Sequence, residues 1–109
     1  MMQIPKRLMP STMSVAAPDT KSTYGGRYLP PTTVRNVRFE RKEALNPRIY
    51  QLSDGACGRI WVDAINSQGA FEVQRGSLIT IGNREMVAVV CVACETYCGK
   101  VHHWEIDVK

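Results

Sequence analysis

The residues best equipped for chemistry are three cysteines and two histidines near the C-terminal end of the chain. They are Cys91, Cys94, Cys98, His102 and His103. Because thiolates and imidazoles are common zinc ligands, these residue types suggest a metal site. A zinc knuckle, however, needs a turn between its paired cysteines, and the intervening Val92 and Ala93 lie in a valine-rich run that favours a strand. Residues three apart in a strand point to opposite faces, so Cys91 and Cys94 cannot both reach one metal.

We therefore interpret most of these cysteines as buried small side chains, and we predict neither a metal site nor a cofactor. Cys98 lies in the hairpin loop and is expected to be exposed. A zinc-stabilised module is the alternative, which metal analysis of the purified chain would test.

The histidines could also take part in acid–base catalysis if suitable partners were close. On an extended strand His103 shares one face, expected to be solvated, with Glu105 and Asp107. The other face is apolar enough for the core and comprises His102, Trp104, Ile106 and Val108. The sequence contains no nucleophile elbow, phosphate loop or paired-acid motif, so we predict that the protein is not an enzyme.

A predicted meander, Gly76 to Lys109, positions these residues. Two apolar runs flank Gly82-Asn83, a pair that favours tight turns because both residues tolerate positive φ. The second run is long and β-branched, and a regularly alternating strand follows the Gly99-Lys100 turn. The pattern predicts a three-stranded antiparallel meander that forms the rigid half of a small barrel or sandwich.

Three further strands are predicted upstream, at Thr12–Ala16, Thr32–Glu40 and Arg59–Ile65. In the second of them Val34 falls on the opposite phase from Val37, which indicates a bulge or a late strand start. No stretch shows helical spacing, so the fold class is all-β: a small antiparallel β-barrel or sandwich. Residues 1–11 form an extended N-terminal arm, and residues 12–109 form a single barrel domain.

A long loop, residues 41–58, follows the second predicted strand. It has no clear period, although residues 40–45 could supply one helical turn. Its length is unusual for a compact domain and marks the loop as functional or flexible.

The charge of the chain is unevenly distributed. Residues 1–48 carry nine Lys or Arg against three Asp or Glu, a net charge of +6, and residues 49–109 carry five against seven, a net charge of −2. Such asymmetry suggests contact with nucleic acid or complementary contacts between copies. No run approaches the roughly 18 apolar residues that span a bilayer, so no membrane partner is expected. We expect a reducing cytosol, in which the cysteines stay reduced.

An OB-like barrel that binds nucleic acid is the main alternative function. Such barrels combine basic grooves with exposed aromatic rings on which bases stack. Most aromatic residues here are predicted to face inward; the loop exceptions are Tyr24, Tyr28 and Tyr50. Contact through arginines alone would be strongly salt-dependent.

The order and spacing of these elements resemble the minor capsid proteins of tailed bacteriophages, which are related to head–tail connector proteins of the stopper or head-completion type. The matching C-terminal run is GSLITIGNREMVAVVCVACETYCGKVHHWEIDVK, and its matched positions are Gly76, Ile79, Gly82, Met86, Val87, Val89, Gly99, His102, His103 and Glu105. Upstream, PKRLMPSTMSV resembles the family's opening strand and YGGRYLPPTTVRNVRFERK its second strand. Met86 stands where an aromatic residue is usual and Ser77 where an acid often lies, which leaves the subfamily open.

The resemblance implies a homo-oligomeric ring, a hexamer or dodecamer, in the neck of the virion, assembled in the host bacterial cytoplasm. The ring would lie between a portal or adaptor protein above and a tail terminator or tail protein below. In stoppers the loop after the second strand projects toward the channel and helps to retain packaged double-stranded DNA. Arg41, Lys42 and Arg48 of the matching loop would then contact phosphates without reading sequence.

Two alternatives stay open within this resemblance. The basic loop residues could form ion pairs with acids of a neighbouring subunit, or the chain could be another virion protein, such as a tail-completion protein. A ring also predicts a role for the N-terminal arm, whose Ile4, Lys6, Arg7 and Leu8 would lie against a neighbouring subunit.

Overall fold

Six antiparallel strands form the core of the computed structural model: β1 (Ser11–Ala16), β2 (Thr32–Arg41), β3 (Gly58–Asp63), β4 (Leu78–Ile81), β5 (Arg84–Glu95) and β6 (Val101–Val108). They close into a barrel in the order β1-β2-β3-β6-β5-β4. The structure describes residues 4–19, 27–44, 51–53, 55–96 and 98–109. Within these ranges the helical segments are two short 3-10 turns, Lys6–Leu8 and Lys42–Ala44. The predicted all-β class is confirmed, and the sheet is a closed barrel. None of the described helical segments is long and apolar enough to cross a membrane.

Strand β2 helps to close the barrel by changing partners midway. Its first half pairs with β1 and its second half with β3, and Val37 pairs with both neighbours. At this point the register with β1 shifts, and Asn36 is the extra residue, with a φ of 57°. Asn tolerates this left-handed conformation better than most residues because its short polar side chain can bond locally. The bulge allows both Val34 and Val37 to be fully buried, as the change of phase predicted.

The barrel interior is filled by alternating side chains of all six strands and by Val73 from the connection between β3 and β4. The core residues are Met13, Val15, Val34, Val37, Ile60, Val62, Val73, Ile79, Met86, Ala88, Ile106 and Val108. The inward positions predicted for β1 are confirmed, since Met13 and Val15 are buried. On β6 the prediction holds for Ile106 and Val108, whereas Trp104 packs against the core only partly buried and His102 is partly buried outside it. Each of the larger side chains contributes about 1.5–3 kcal/mol by leaving water, so this core holds the barrel together.

The predicted C-terminal meander is present as β4, β5 and β6. Gly82 takes a φ of 60° in the turn between β4 and β5, and Gly99 takes a φ of 82° between β5 and β6. A hydrogen bond of 2.8 Å from the N–H of Thr96 to the carbonyl oxygen of Lys100 closes the second turn. Both turns use the left-handed conformation that glycine adopts without steric penalty.

Strand pairing separates the cysteines of β5. Cys91 lies opposite Ile106, on the inner face, and Cys94 lies opposite His103, on the outer face. Directly opposed residues of an antiparallel pair share a face, so the predicted separation of Cys91 and Cys94 is confirmed. All four cysteines of the chain are free thiols.

The N-terminal arm packs against its own barrel. Met9 is fully buried, and the main-chain N–H of Ile4 donates to Oδ1 of Asp63 at 2.9 Å. Asn66 donates from Nδ2 to the carbonyl oxygen of Ile4 at 2.8 Å. Arg38 donates from Nη1 to the carbonyl oxygen of Leu8 at 3.1 Å. These bonds fix the main chain of the arm along the bend of β2 and the end of β3.

Candidate nucleic-acid interface

The loop between β2 and β3 starts and ends at a closed base. Arg41 pairs with Gly58 in the ladder between the two strands, and the N–H of Lys42 donates to the carbonyl oxygen of Cys57 at 2.7 Å. The strands therefore reach both ends of the predicted loop, and the connection itself runs from residue 42 to residue 57. The helical turn predicted within residues 40–45 is the 3-10 turn Lys42–Ala44. Because its two ends are held together, the connection begins and ends at the same end of the barrel.

Two of the three predicted DNA-contacting residues lie at this base. Arg41 is the last residue of β2, Lys42 opens the 3-10 turn, and both are exposed. Arg48 lies outside the described residues. Neither Arg41 nor Lys42 forms an ion pair with any described residue. Two exposed cations without an acidic partner in the described part of the chain are available for an external anion.

Arg84, which the sequence analysis did not single out, joins them. It is the first residue of β5, and its guanidinium carbon lies 5.8 Å from the ring centroid of Phe39, a cation–π arrangement. Together with Arg41, Ile81 and Asn83, these two residues line an open cleft of about 550 Å³. Arg84 is thus held by an aromatic ring beside the base of the loop, whereas Arg41 and Lys42 are exposed.

Acidic side chains reduce the positive charge here without cancelling it. Glu40 forms a 2.6 Å ion pair with Arg38, so its charge is already balanced. Glu43 lines a neighbouring pocket together with Arg41 and Arg84. Three cations therefore face one acid that has no ion pair among the residues with described positions. The base of the loop is a positively charged surface.

Gly58 allows Phe39 to take its position. A Cβ at residue 58 would lie 2.8 Å from Cε2 of Phe39 and 2.6 Å from the carbonyl oxygen of Glu40. Real Cβ contacts are essentially never this short, so any larger residue would displace the ring or the strand. The glycine at the start of β3 therefore lets the aromatic ring lie close to the backbone, and the ring in turn supports Arg84.

An ion pair ties the end of the loop to the barrel wall. Arg59 donates from Nε to Oδ1 of Asp107 at 2.7 Å, and the N–H and Oγ of Ser53 donate to Oδ2 at 2.9 and 3.0 Å. Arg59 also donates from Nη2 to the carbonyl oxygen of Gln51 at 2.9 Å. Burial alone would raise the pKa of Asp107, but the hydrogen bonds from Arg59 and Ser53 outweigh it and hold the pKa below its usual range. Residues 51–53 are consequently fixed to β3 and β6.

The prediction of a fully solvated outer face on β6 was wrong. Asp107 is only 4% exposed, because Arg59 and Ser53 cover it. Glu105 and His103, on the same face, are also partly buried. Strand alternation assigned these residues to the correct side of the sheet. It could not predict that residues 51–53 of the loop cover part of that side.

The main chain of the predicted inter-subunit arm is bound to its own barrel, and three of the four side chains predicted to contact a neighbour are exposed. Lys6, Arg7 and Leu8 are exposed, and Ile4 is partly buried beside Asp63. Their inter-subunit role stays a prediction. Of the loop aromatics, Tyr28 is 40% exposed and forms an isolated β-bridge with Pro18. Tyr24 and Tyr50 lie outside the described residues.

Together these features define a small all-β protein with a basic surface at the base of the connection between β2 and β3. Residues 5–108 match the sequence model of the minor capsid protein family, so the chain belongs to that family. The predicted resemblance is thereby confirmed at the level of the family, which indicates a structural role in a bacteriophage particle. No curated protein and no solved structure shows a significant match to the chain.

Proposed function

We propose that this minor capsid protein is a head–tail connector component of the stopper or head-completion type. Copies form a ring in the neck of the virion, below the portal or adaptor protein, and present a docking surface to the tail. The loops from residue 42 to residue 57 point into the channel and help to retain the packaged duplex without catalysis. The observation that supports this function is the closed loop base surrounded by Arg41, Lys42 and Arg84.

The chemistry of the proposed contact is electrostatic. Arginine and lysine bind phosphate oxygens and release condensed counterions, which makes the contact salt-dependent and independent of base sequence. Each phosphate contact changes the slope of log K against log salt by about 0.9 for duplex DNA. A ring repeats the three cations in every subunit, so the overall affinity for DNA is much higher than that of a single subunit.

A closed barrel limits how the ring can form. Its strands leave no free edge within the described sheet, so subunits cannot associate by extending one sheet into the next. Contacts must then use side chains and loops. The arm offers the exposed Leu8, and the loop after β3 offers Ile65, which is 68% exposed. Lys6 and Arg7 suit the more acidic half of a neighbouring copy.

DNA retention in assembled particles tests the proposal. The variant Arg41→Gln, Lys42→Gln, Arg84→Gln should still be incorporated, but its particles should lose packaged DNA more readily as salt is raised. The matched control neutralises three exposed cations elsewhere, Arg75→Gln, Lys100→Gln and Lys109→Gln, and should retain DNA normally. Equal DNA retention by both variants would contradict the proposal that these three cations help to retain DNA in the channel.

Sizing of the purified chain separates this function from a free-standing nucleic-acid-binding module. The connector function predicts association into a ring, alone or with its neighbours in the neck. A stable monomer with salt-sensitive affinity for single strands would favour the OB-like module instead. Location of the chain in the tail rather than the neck would favour a tail-completion protein.

A further inference from the structure

A cluster of three potential metal ligands lies on the outer wall of the barrel. Sγ of Cys94 is 2.9 Å from Oε2 of Glu105, and Nε2 of His103 is 3.5 Å from the same oxygen. All three ligand atoms lie within 4.8 Å of one another, and all three residues are partly buried. The proposed function, which uses the cations at the base of the loop, does not involve this cluster.

Strand geometry brings these side chains together. Cys94 on β5 lies directly opposite His103 on β6, and Glu105 is two residues further along β6. Opposed residues share a face, as do residues two apart on one strand, so all three side chains leave the same side of the sheet. Ligands carried on paired strands are held more rigidly than ligands on loops.

Two neighbouring residues orient the ligands. Arg59 binds the other carboxylate oxygen of Glu105, Oε1, at 3.2 Å, which leaves Oε2 directed at Cys94 and His103. The two Nδ1 atoms of His102 and His103 are 2.8 Å apart. If the Nδ1–H of His103 donates in this bond, its Nε2 presents a lone pair to Glu105 and Cys94. Support of a histidine ligand through its second nitrogen is characteristic of metal sites.

We propose that Cys94, His103 and Glu105 bind a zinc ion. Thiolate, imidazole and carboxylate together form a donor set that suits zinc. With zinc bonds of about 2.0–2.3 Å and tetrahedral angles, ligand atoms should be about 3.4–3.6 Å apart. The His103–Glu105 distance of 3.5 Å already fits, and the Cys94–Glu105 distance of 2.9 Å must widen by a side-chain rotation. Three protein ligands leave the fourth position for water.

Zinc binding must displace a proton from the thiol. Sγ of Cys94 donates a hydrogen bond to Oε2 of Glu105 at 2.9 Å, so the metal-free side chain is a thiol. The titratable and charged groups around it are Glu105, His103, Arg59 and Cys91. Binding forms the zinc–sulfur bond, breaks the S–H bond and releases the proton to solvent.

Calorimetric titration of the untagged, reduced, full-length chain with zinc tests the site, and cobalt(II) serves as a spectroscopic probe. We expect one zinc per chain with a dissociation constant of about 1 µM or tighter. Cobalt should give a thiolate-to-metal charge-transfer band. Cys94→Ser and His103→Gln should each weaken zinc binding more than the roughly 10–100-fold that loss of a supporting residue causes. Cys94→Ser should also abolish the cobalt band.

Matched cysteine variants make the result decisive. Cys91→Ser alters a thiol on the opposite face of the same strand, and Cys98→Ser alters the exposed thiol, so both should bind zinc normally. Circular dichroism checks that each variant keeps the barrel; in Cys94→Ser the new hydroxyl can still donate to Glu105. Absence of stoichiometric binding, binding that survives Cys94→Ser, or loss of binding with Cys98→Ser would each overturn the proposal.

Discussion

Arg59 and Asp107 form an ion pair with an Nε–Oδ1 distance of 2.7 Å, and their side chains are only 14% and 5% exposed. The pair joins β3 to β6, two strands that are neighbours in the barrel, through two residues that are 48 positions apart in the chain. Because Ser53 donates to the same carboxylate, one interaction fixes both the barrel wall and the end of the long loop.

The first prediction concerns this pair. Asp107→Ala removes the nearer of the two acids that Arg59 contacts and the anchor of Ser53, while Glu105 stays 3.2 Å from Arg59, so the free energy of unfolding should fall by about 1–3 kcal/mol. Urea denaturation measures the change, and limited proteolysis should show earlier cleavage in the loop. The surface pair provides the control, because Glu40→Gln should cost less than about 1 kcal/mol. Equal losses for the two variants would contradict the assigned burial.

The second prediction is a loss of stability in acid. Burial alone would raise the pKa of Asp63, but main-chain N–H donors of Asn66, Ile4 and Ile65 hold it below the usual value; the pKa of Asp107 is also lowered. A carboxyl whose pKa is lower when folded stabilises the protein fully above its unfolded pKa of about 3.9. That stability disappears as the pH falls through the folded pKa.

The loss of stability is measured as the urea midpoint of unfolding from neutral pH down to about pH 3. A chelator is present so that metal binding does not contribute. Stability should be nearly flat at neutral pH and should drop below about pH 4–5, as the unfolded chain takes up more protons. Asp107→Asn should reduce the size of the drop. A pH profile of this variant parallel to that of the wild type would show that Asp107 is not responsible.

The third prediction tests the contact between Gly58 and Phe39. Gly58→Ala places a methyl group 2.6–2.8 Å from the main chain and ring of β2, which should lower stability by about 1–3 kcal/mol. Gly82→Asn is the control, since nothing lies within 4 Å of the added Cβ and Asn tolerates the positive φ. Thermal unfolding compares the two, and a tolerated alanine at position 58 would disprove the close approach.

The fourth prediction separates folding from assembly in the arm. Met9 is fully buried, so Met9→Ala should lower the free energy of unfolding by about 2–5 kcal/mol. Leu8 is 44% exposed, so Leu8→Ala should leave the stability of the isolated chain almost unchanged. If the arm contacts a neighbouring subunit, Leu8→Ala should instead weaken ring formation, measured by light scattering. Unaltered assembly would show that Leu8 does not contact a neighbouring subunit.

The fifth prediction concerns Trp104, which packs against the core while its buried Nε1–H lacks a partner among the described residues. Trp104→Ala should cost about 3–5 kcal/mol, because a large side chain is removed. Trp104→Phe keeps most of the apolar contact and removes the unsatisfied donor, so its cost should stay within about 1.5 kcal/mol. Denaturant unfolding measures both. A Phe variant as unstable as the Ala variant would indicate that Nε1–H donates a hydrogen bond.

Alternation within single strands predicted much of the fold. The inward positions of Met13, Val15, Ile106 and Val108 follow from a period of two, and the phase of Val34 revealed the bulge at Asn36. These features depend on near neighbours in the chain, which is why the pattern contains them.

Features that depend on which strands are neighbours could not be predicted. Arg84 joins Arg41 only because the turn after β4 reaches the cleft at the end of β2. The proposed ligands Cys94 and His103 meet only through the register of β5 and β6, whereas the sequence pattern invited comparison of Cys94 with Cys91. Asp107 is covered by Ser53, a loop residue 54 positions earlier in the chain, and strand alternation contains no information about such a contact.

The position of β6 between β3 and β5 has a consequence for synthesis. Both of those strands present bare edges until β6 has emerged from the ribosome, so the barrel cannot close while the chain is still growing toward it. Until then, a nascent chain exposes the unpaired backbone N–H and C=O groups of two strand edges. When β6 arrives, it pairs with β3 and β5 and closes the barrel. Chains interrupted before β6 would keep both edges open and would be prone to aggregate.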